Sequence, residues 1–143
     1  MTNQDLILRH IFEQTKTIAL VGYSLKPERA SNEVAHYLSR LGFRVIGVNP
    51  GHVGLTAFGQ PIVAQLTDIG EPVDMVDVFR RPEDTPDIAR QAVAIGARTL
   101  WMQLGVINDE AKQIGEQGGL QVVMDRCPKI DWPRLGLSRK SVK

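Results

Sequence analysis

The chain has 143 residues and 43% hydrophobic content, which suits one domain of ordinary size with a buried core. Its 17 basic and 16 acidic residues nearly cancel, so no net field selects DNA, RNA or an anionic membrane as partner, and any anion site must be local. The single cysteine, Cys127, excludes an internal disulfide and a multi-cysteine zinc site; with no apolar leader core and no run near the ~18 apolar residues of a spanning helix, a soluble, cytoplasmic protein is expected.

Leu6, Ile7, Ile11 and Phe12 recur at helical spacing and predict a short packing helix within residues 1–16. Thr17 to Val21 is an apolar run closed by Gly22, as expected of a strand buried on both faces of a parallel sheet. Pro27 and Glu28 open a helical stretch to about Leu41, with Val34, Ala35, Leu38 and Leu41 on one stripe and Gly42 as its stop. Phe43 to Val48 forms a second strand that ends at Asn49-Pro50, because proline has no N–H for the ladder. The following GHVGLTAFGQPI, with three glycines and a proline, predicts a long irregular crossing.

Val73 to Phe79 reads as a third strand, Pro82 to Ile95 as a helix stopped by Gly96, and Thr99 to Leu104 as a fourth strand. Asn108 caps a helix to Gln117, and Leu120 to Met124 is a fifth strand. This alternation predicts an α/β, single-domain, Rossmann-like three-layer fold over residues 17–135, with a five-stranded, mainly parallel sheet and helices on both faces. The stretch WPRLGLSRKSVK has no periodicity, and residues 136–143 are expected to form a mobile basic tail.

Ligands of such sheets bind outside the carboxyl ends of the strands. The segment from Gly22 to Ser31 joins a strand to a helix start, where free N–H groups and the dipole attract phosphate. Ser24 adds a hydroxyl, and Arg29 in the first helical turn, with Lys26 nearby, points to an anion that offsets an unfavourable place for a cation. The structural alternative is a tight turn at Gly22, a Ser31 hydroxyl that satisfies backbone, and solvated Lys26 and Arg29. Serine at 24 and proline at 27 break the G-x-G-x-x-G dinucleotide fingerprint, and Asn49-Pro50 stands where an acid would hold the ribose of NAD. Arg80 and Arg81 follow the third strand; Arg80 is expected to face the crevice, while Arg81 has Glu83 and Asp84 as local ion-pair partners.

No catalytic arrangement is legible. His10, His36 and His52 lack metal-ligand spacing, no G-x-S-x-G elbow occurs, and Asp74, Asp77 and Asp125 lie in or beside strands without a definable carboxylate pair. Cys127 is expected to pack as a small hydrophobe, the alternative being a thiolate favoured by Arg126.

Several motifs occur in a fixed order: A-L-V-G-Y-S with P-E-R-A-S, V-N-P, F-G-Q-P, V-D-M-V-D-V-F-R-R-P-E, A-I-G-A-R-T-L-W-M-Q-L-G-V and V-V-M-D-R-C-P. In that order the chain resembles, from roughly Thr17 to Leu135, the small CoA-binding domain proteins related to the CoA-binding domain of the succinyl-CoA synthetase alpha subunit. The resemblance implies that Gly22, Ser24, Pro27 and Arg29 cradle the CoA pyrophosphate, that Val48, Asn49 and Pro50 border the adenosine, and that Phe79, Arg80 and Gln103 line the same crevice. Tyr23 stands where the family has a small residue and is expected to narrow the approach to the pyrophosphate. With Lys26, Ser31 and Gly105 these residues form the candidate site for coenzyme A or an acyl-CoA. The expected function is a non-catalytic binding, carrier or sensor protein. Its rivals are an NADP-linked or acyl-transfer enzyme using Cys127, and an interaction module that has lost its ligand. Helix one and an edge strand are the candidate contacts of a homodimer.

Overall fold

A computed structural model describes residues 2–138. Helix α1 spans Asn3–Gln14, started by a capping box in which the Thr2 hydroxyl accepts from Asp5 N–H and the Asp5 carboxylate accepts from Thr2 N–H. Its buried stripe is Leu8, Ile11 and Phe12; Leu6 and Ile7, predicted to pack, are exposed. Strand β1 is Thr17–Val21, buried throughout, as the apolar run predicts. Helix α2 is Ala30–Arg40, and Gly42 (φ +103) supplies the left-handed residue that stops it. The helix begins three residues later than Pro27 suggests: residues 27–29 form a turn, and Arg29 is the extended N-cap rather than part of the first helical turn.

Strand β2 is Arg44–Val48. The predicted irregular crossing contains a hairpin, β3 (Thr56–Ala57) and β4 (Gln60–Pro61), turned by Phe58 (φ +55) and Gly59 (φ +75). A phenylalanine at positive φ is disfavoured in isolation, so the sequence lacks the usual Asn-Gly hairpin signal. Here its ring rests edge-on against Tyr23 and His36, with centroids 5.7 and 4.9 Å away, and that packing holds the turn. Strand β5 is Met75–Val78, α3 Thr85–Ala94, β6 Thr99–Met102, α4 Asp109–Gln117 and β7 Gln121–Val123. The Asn108 side chain caps α4 by accepting from Ala111 N–H and donates to Pro82 C=O, so Asn108→Ala is expected to lower unfolding stability by about 1–2 kcal/mol in urea titration.

One further helix, α5 (Pro128–Arg134), falls partly where the sequence shows no periodicity. Seven residues with an internal Pro133 have little intrinsic helicity. Buried Trp132 and Asp131 hold the helix by tertiary contact, Trp132 edge-on to Phe12 and Phe43. Residues 139–143 of the predicted tail lie outside the described residues.

The five-stranded sheet runs β2-β1-β5-β6-β7 with every pairing parallel. Chain order reverses between β1 and β5, and the register Val48↔Val21↔Val78↔Met102 brings those strand ends level. One face carries α1, α2 and α5 on a layer with Leu8, Phe12, Leu20, Leu38, Trp101 and Trp132; the other carries α3 and α4 on Ala19, Val76, Val78, Ala89 and Leu100. Among the described residues no helix is long and apolar enough to cross a membrane.

Candidate functional site

Three clefts open at the carboxyl ends of β1, β2, β5 and β6, the place that the reversal of strand order leaves uncovered. The first, about 400 Å³, is bounded by Gly22, Ser24, Lys26, Arg29, Ala30, Ser31, Asn49, His52 and Phe79. Its floor is fixed by backbone. Gly22 N–H donates to Val48 C=O at 2.9 Å and Phe79 N–H to Val21 C=O at 2.8 Å. Gly22 sits at φ +86, and a Cβ there would lie 2.2 Å from the Phe79 carbonyl oxygen. Glycine is therefore required by the approach of β1 to β5, a reason the sequence does not reveal.

Polar side chains brace the loop above that floor. The Ser31 hydroxyl accepts from Ser24 N–H (3.1 Å), the Ser24 hydroxyl accepts from Lys26 N–H (3.2 Å), and the Asn32 amide donates to Ser24 C=O (2.9 Å). The Asn49 amide donates to Tyr23 C=O at 2.7 Å while its oxygen accepts from Gly51 N–H at 2.8 Å. Asn49 thus holds the first loop and the turn carrying His52 in one arrangement. Ser31 satisfies backbone, as its structural alternative has it, and the Ser24 O–H remains able to donate to an anion. Lys26 and Arg29 are exposed and have no carboxylate partner among the described residues.

Tyr23 departs from the expected position. Its side chain is 2% exposed, packed over Gly47 and against Phe58, with Asn32 donating to its hydroxyl. It turns into the core and does not narrow the cleft; burial raises its phenol above the ordinary range, with the Asn32 bond opposing. Pro27 lines a separate hollow with Tyr23, Leu25, His36 and Phe58 on the hairpin side of the loop.

The second cleft, about 370 Å³, lies toward α3 and brings together Val48, Pro50, Gln65, Arg80, Ile88 and Gln91. The third, about 660 Å³, is bordered by Phe79, Arg80, Arg81, Gln103, Leu104 and Val106. Arg80 is common to both, and Phe79 to the first and third, so the clefts meet around these two residues. Arg80 also takes the pairing expected of Arg81: its guanidinium lies 3.1 Å from Asp84, whose carboxyl is held below the usual range by Arg81 and then Arg80. An anion at Arg80 must compete with that carboxylate. Gly105, at φ +79, donates its N–H to Asp125 at 2.7 Å and shapes the loop behind the third cleft rather than bordering it.

His52, Gln65, Ile88 and Gln91 join the site without having been expected there from sequence. His52 has a signal in V-N-P-G-H, three residues beyond Asn49, but the others come from separate segments that only the fold joins. Asp74 accepts from Lys16 and Thr17 N–H groups at 2.9 Å each, and thereby ties the start of β1 to β5. Cys127 is buried in the apolar layer, and Arg126 forks onto Asp131 at 2.8 Å through both nitrogens instead of facing the thiol.

An open parallel α/β sheet with three joined clefts and a helix N-terminus at its switch point defines a single-domain, Rossmann-like α/β protein. Residues 16–133 match the family model described as CoA binding domain, and the chain belongs to that family. It is 37% identical over 123 residues to "Uncharacterized protein YneT" of Bacillus subtilis (strain 168), covering 86% of this chain and 90% of that protein. Among solved structures it is similar to cell-free ID.343 from Thermus thermophilus, at 38% identity and a TM-score of 0.88 over 94% of this chain and 99% of that one. A hypothetical protein from Pyrococcus horikoshii OT3 is 36% identical with a TM-score of 0.86, over 94% and 92% of the two chains.

Proposed function

We propose that the chain binds coenzyme A, free or acylated, as a carrier or sensor and performs no chemistry on it. The observation that carries this reading is the pair Lys26 and Arg29 beside the first cleft, at the start of an 11-residue helix. Elsewhere the arginines of the strand ends and of α5 are matched to carboxylates, as in Arg44–Glu71, Arg81–Asp84 and Arg134–Asp131. A pyrophosphate there meets the two cations, the Ser24 hydroxyl and the free N–H groups of α2. The second cleft offers the adenosine apolar walls at Val48 and Ile88 with amides at Gln65 and Gln91. The pantetheine arm passes Phe79 into the third cleft beside Gln103. The non-catalytic reading is supported by Asp74 and Asp125 accepting from backbone, and by the buried Cys127 thiol. A free thiol suits the reducing cytoplasm, and exposed Leu6 and Ile130 offer a surface for a homodimer.

Native mass spectrometry of the purified protein tests this directly. Retention of added CoA, displaced by acetyl-CoA and not by NADP, is the expected result; failure to bind CoA at micromolar concentration would defeat the reading. Arg29→Ala is expected to weaken CoA about tenfold or more in calorimetry with unchanged thermal melting, since its side chain has no partner whose loss would unfold the chain.

A further inference from the structure

Asp77 lies in β5 with 0% exposure, and neither carboxylate oxygen has a hydrogen-bond partner; the Val78 N–H lies near but outside hydrogen-bond geometry. A second buried acceptor is also unpartnered, the amide oxygen of Gln103, a residue 6% exposed at the end of β6. Asp77 is level with Trp101 in the parallel pairing, and Gln103 follows Trp101 by two residues. Alternation places Asp77, Trp101 and Gln103 on the same face, with Asp77 and Gln103 as diagonal neighbours about 7–8 Å apart at Cα, within reach of a long side chain. Two sealed acceptors so placed repel one another unless one of them carries a proton.

We propose that Asp77, as its neutral acid, donates to the Gln103 amide oxygen and so turns the Gln103 amide nitrogen into the third cleft, where it donates to a carbonyl of the pantetheine arm. Asp77 is then a positioning residue that touches no ligand, and the assignment of the carbonyl rests on the CoA reading above. The chemistry is self-consistent: the carboxylic acid contributes one O–H donor, the amide oxygen accepts it, and the amide N–H groups are left for the cleft that Gln103 borders. Burial raises Asp77 well above the carboxylate range, which agrees with a retained proton. The titratable side chains in or packed against the apolar layer on this face are, among the described residues, Tyr23, following β1, Tyr37 of α2 and Cys127, at the start of α5. Arg126 and Asp131, at the edge of that layer, are paired with each other. None of them supplies Asp77 with a counter-ion.

Ligand-free protein is tested first, by NMR. At pH 7 the Asp77 carboxyl carbon is expected at the shift of a neutral acid, and the Gln103 side-chain amide resonances are expected to move in Asp77→Leu and to stay close to wild type in Asp77→Asn, whose amide still donates. An ionised Asp77, or Gln103 resonances unmoved in Asp77→Leu, overturns the proposal whether or not CoA binds. Calorimetry then compares CoA with adenosine 3′,5′-bisphosphate, which lacks the pantetheine arm. Asp77→Leu is expected to weaken CoA about tenfold while leaving the bisphosphate unchanged, and Asp77→Asn to restore CoA binding. Equal loss for both ligands overturns the pantetheine contact. A wild-type protein that binds neither ligand defeats the CoA reading alone, and the NMR result still decides the Asp77–Gln103 link.

Discussion

Gly22→Ala is expected to destabilise the protein by about 3–5 kcal/mol, a large part of an ordinary domain's stability. Two effects add. An alanine at φ +86 carries the left-handed penalty of about 1–2 kcal/mol. Its Cβ would also stand 2.2 Å from the Phe79 carbonyl oxygen, and that oxygen belongs to backbone fixed by the Phe79 N–H bond to Val21. No rotamer change relieves the overlap; the ends of β1 and β5 must separate. Gly54→Ala is the matched control, since Gly54 has φ +94 and a Cβ there would meet nothing within 4 Å. Thermal melting should fall by roughly 10 °C for Gly22→Ala and by a third of that or less for Gly54→Ala. Equal shifts would mean that the contact with Phe79 contributes nothing.

Asp77→Leu is expected to flatten part of the dependence of stability on pH and to raise stability at neutral pH. The sign follows from proton binding. Burial raises Asp77 in the folded chain, so the native state keeps a proton that the unfolded chain releases above about pH 4. Stability from this group is fully present below the unfolded pKa, and from there it falls by about 1.4 kcal/mol per pH unit until the folded pKa is passed. Asp5, Glu33, Glu71 and Asp84 act in the opposite sense, held low by Arg134, Lys129, Arg44 and Arg81. They lose stability as pH falls, and because they are solvent-screened and common to both proteins they cancel in the difference between wild type and variant. Urea unfolding from pH 4 to 8 should therefore give a difference curve that grows with pH. Parallel profiles would show that Asp77 ionises in the native state as it does in the unfolded one.

Much of the fold is legible in the sequence because its strands and helices announce themselves locally. The run Thr17 to Val21 is a strand at its predicted bounds, and Gly42, Gly96 and Asn108 mark helix ends where expected. The elements without a local signal derive their stability from distant partners. Phe58 is held at positive φ by Tyr23 and His36, and α5 is held by Trp132 packing on Phe12 and Phe43. The sequence puts the start of α2 too early because proline at 27 suits a turn as well as a first helical position. For the site, the loop after β1 and Arg80 stand out as candidates from their place at strand ends and Gln103 from the family resemblance, and the fold sets all of them beside the clefts. Tyr23 is not, because a tyrosine beside a glycine gives no local sign of which way its ring turns, and the room left by Gly47 decides it. Asp77 is visible as a residue and silent as a feature, since only the register with Trp101 sets it beside Gln103.

The bracing of residues 23–24 by Ser31, Asn32 and Asn49 has a kinetic consequence. A loop already held by three side chains has little conformational freedom left to lose when an anion arrives. Encounter should then proceed without a slow rearrangement, at the rates of about 10⁵–10⁷ per molar per second usual for association with a preformed surface. Ligands that share the nucleotide half would arrive equally fast, and discrimination among them would be written almost wholly in how long each one stays.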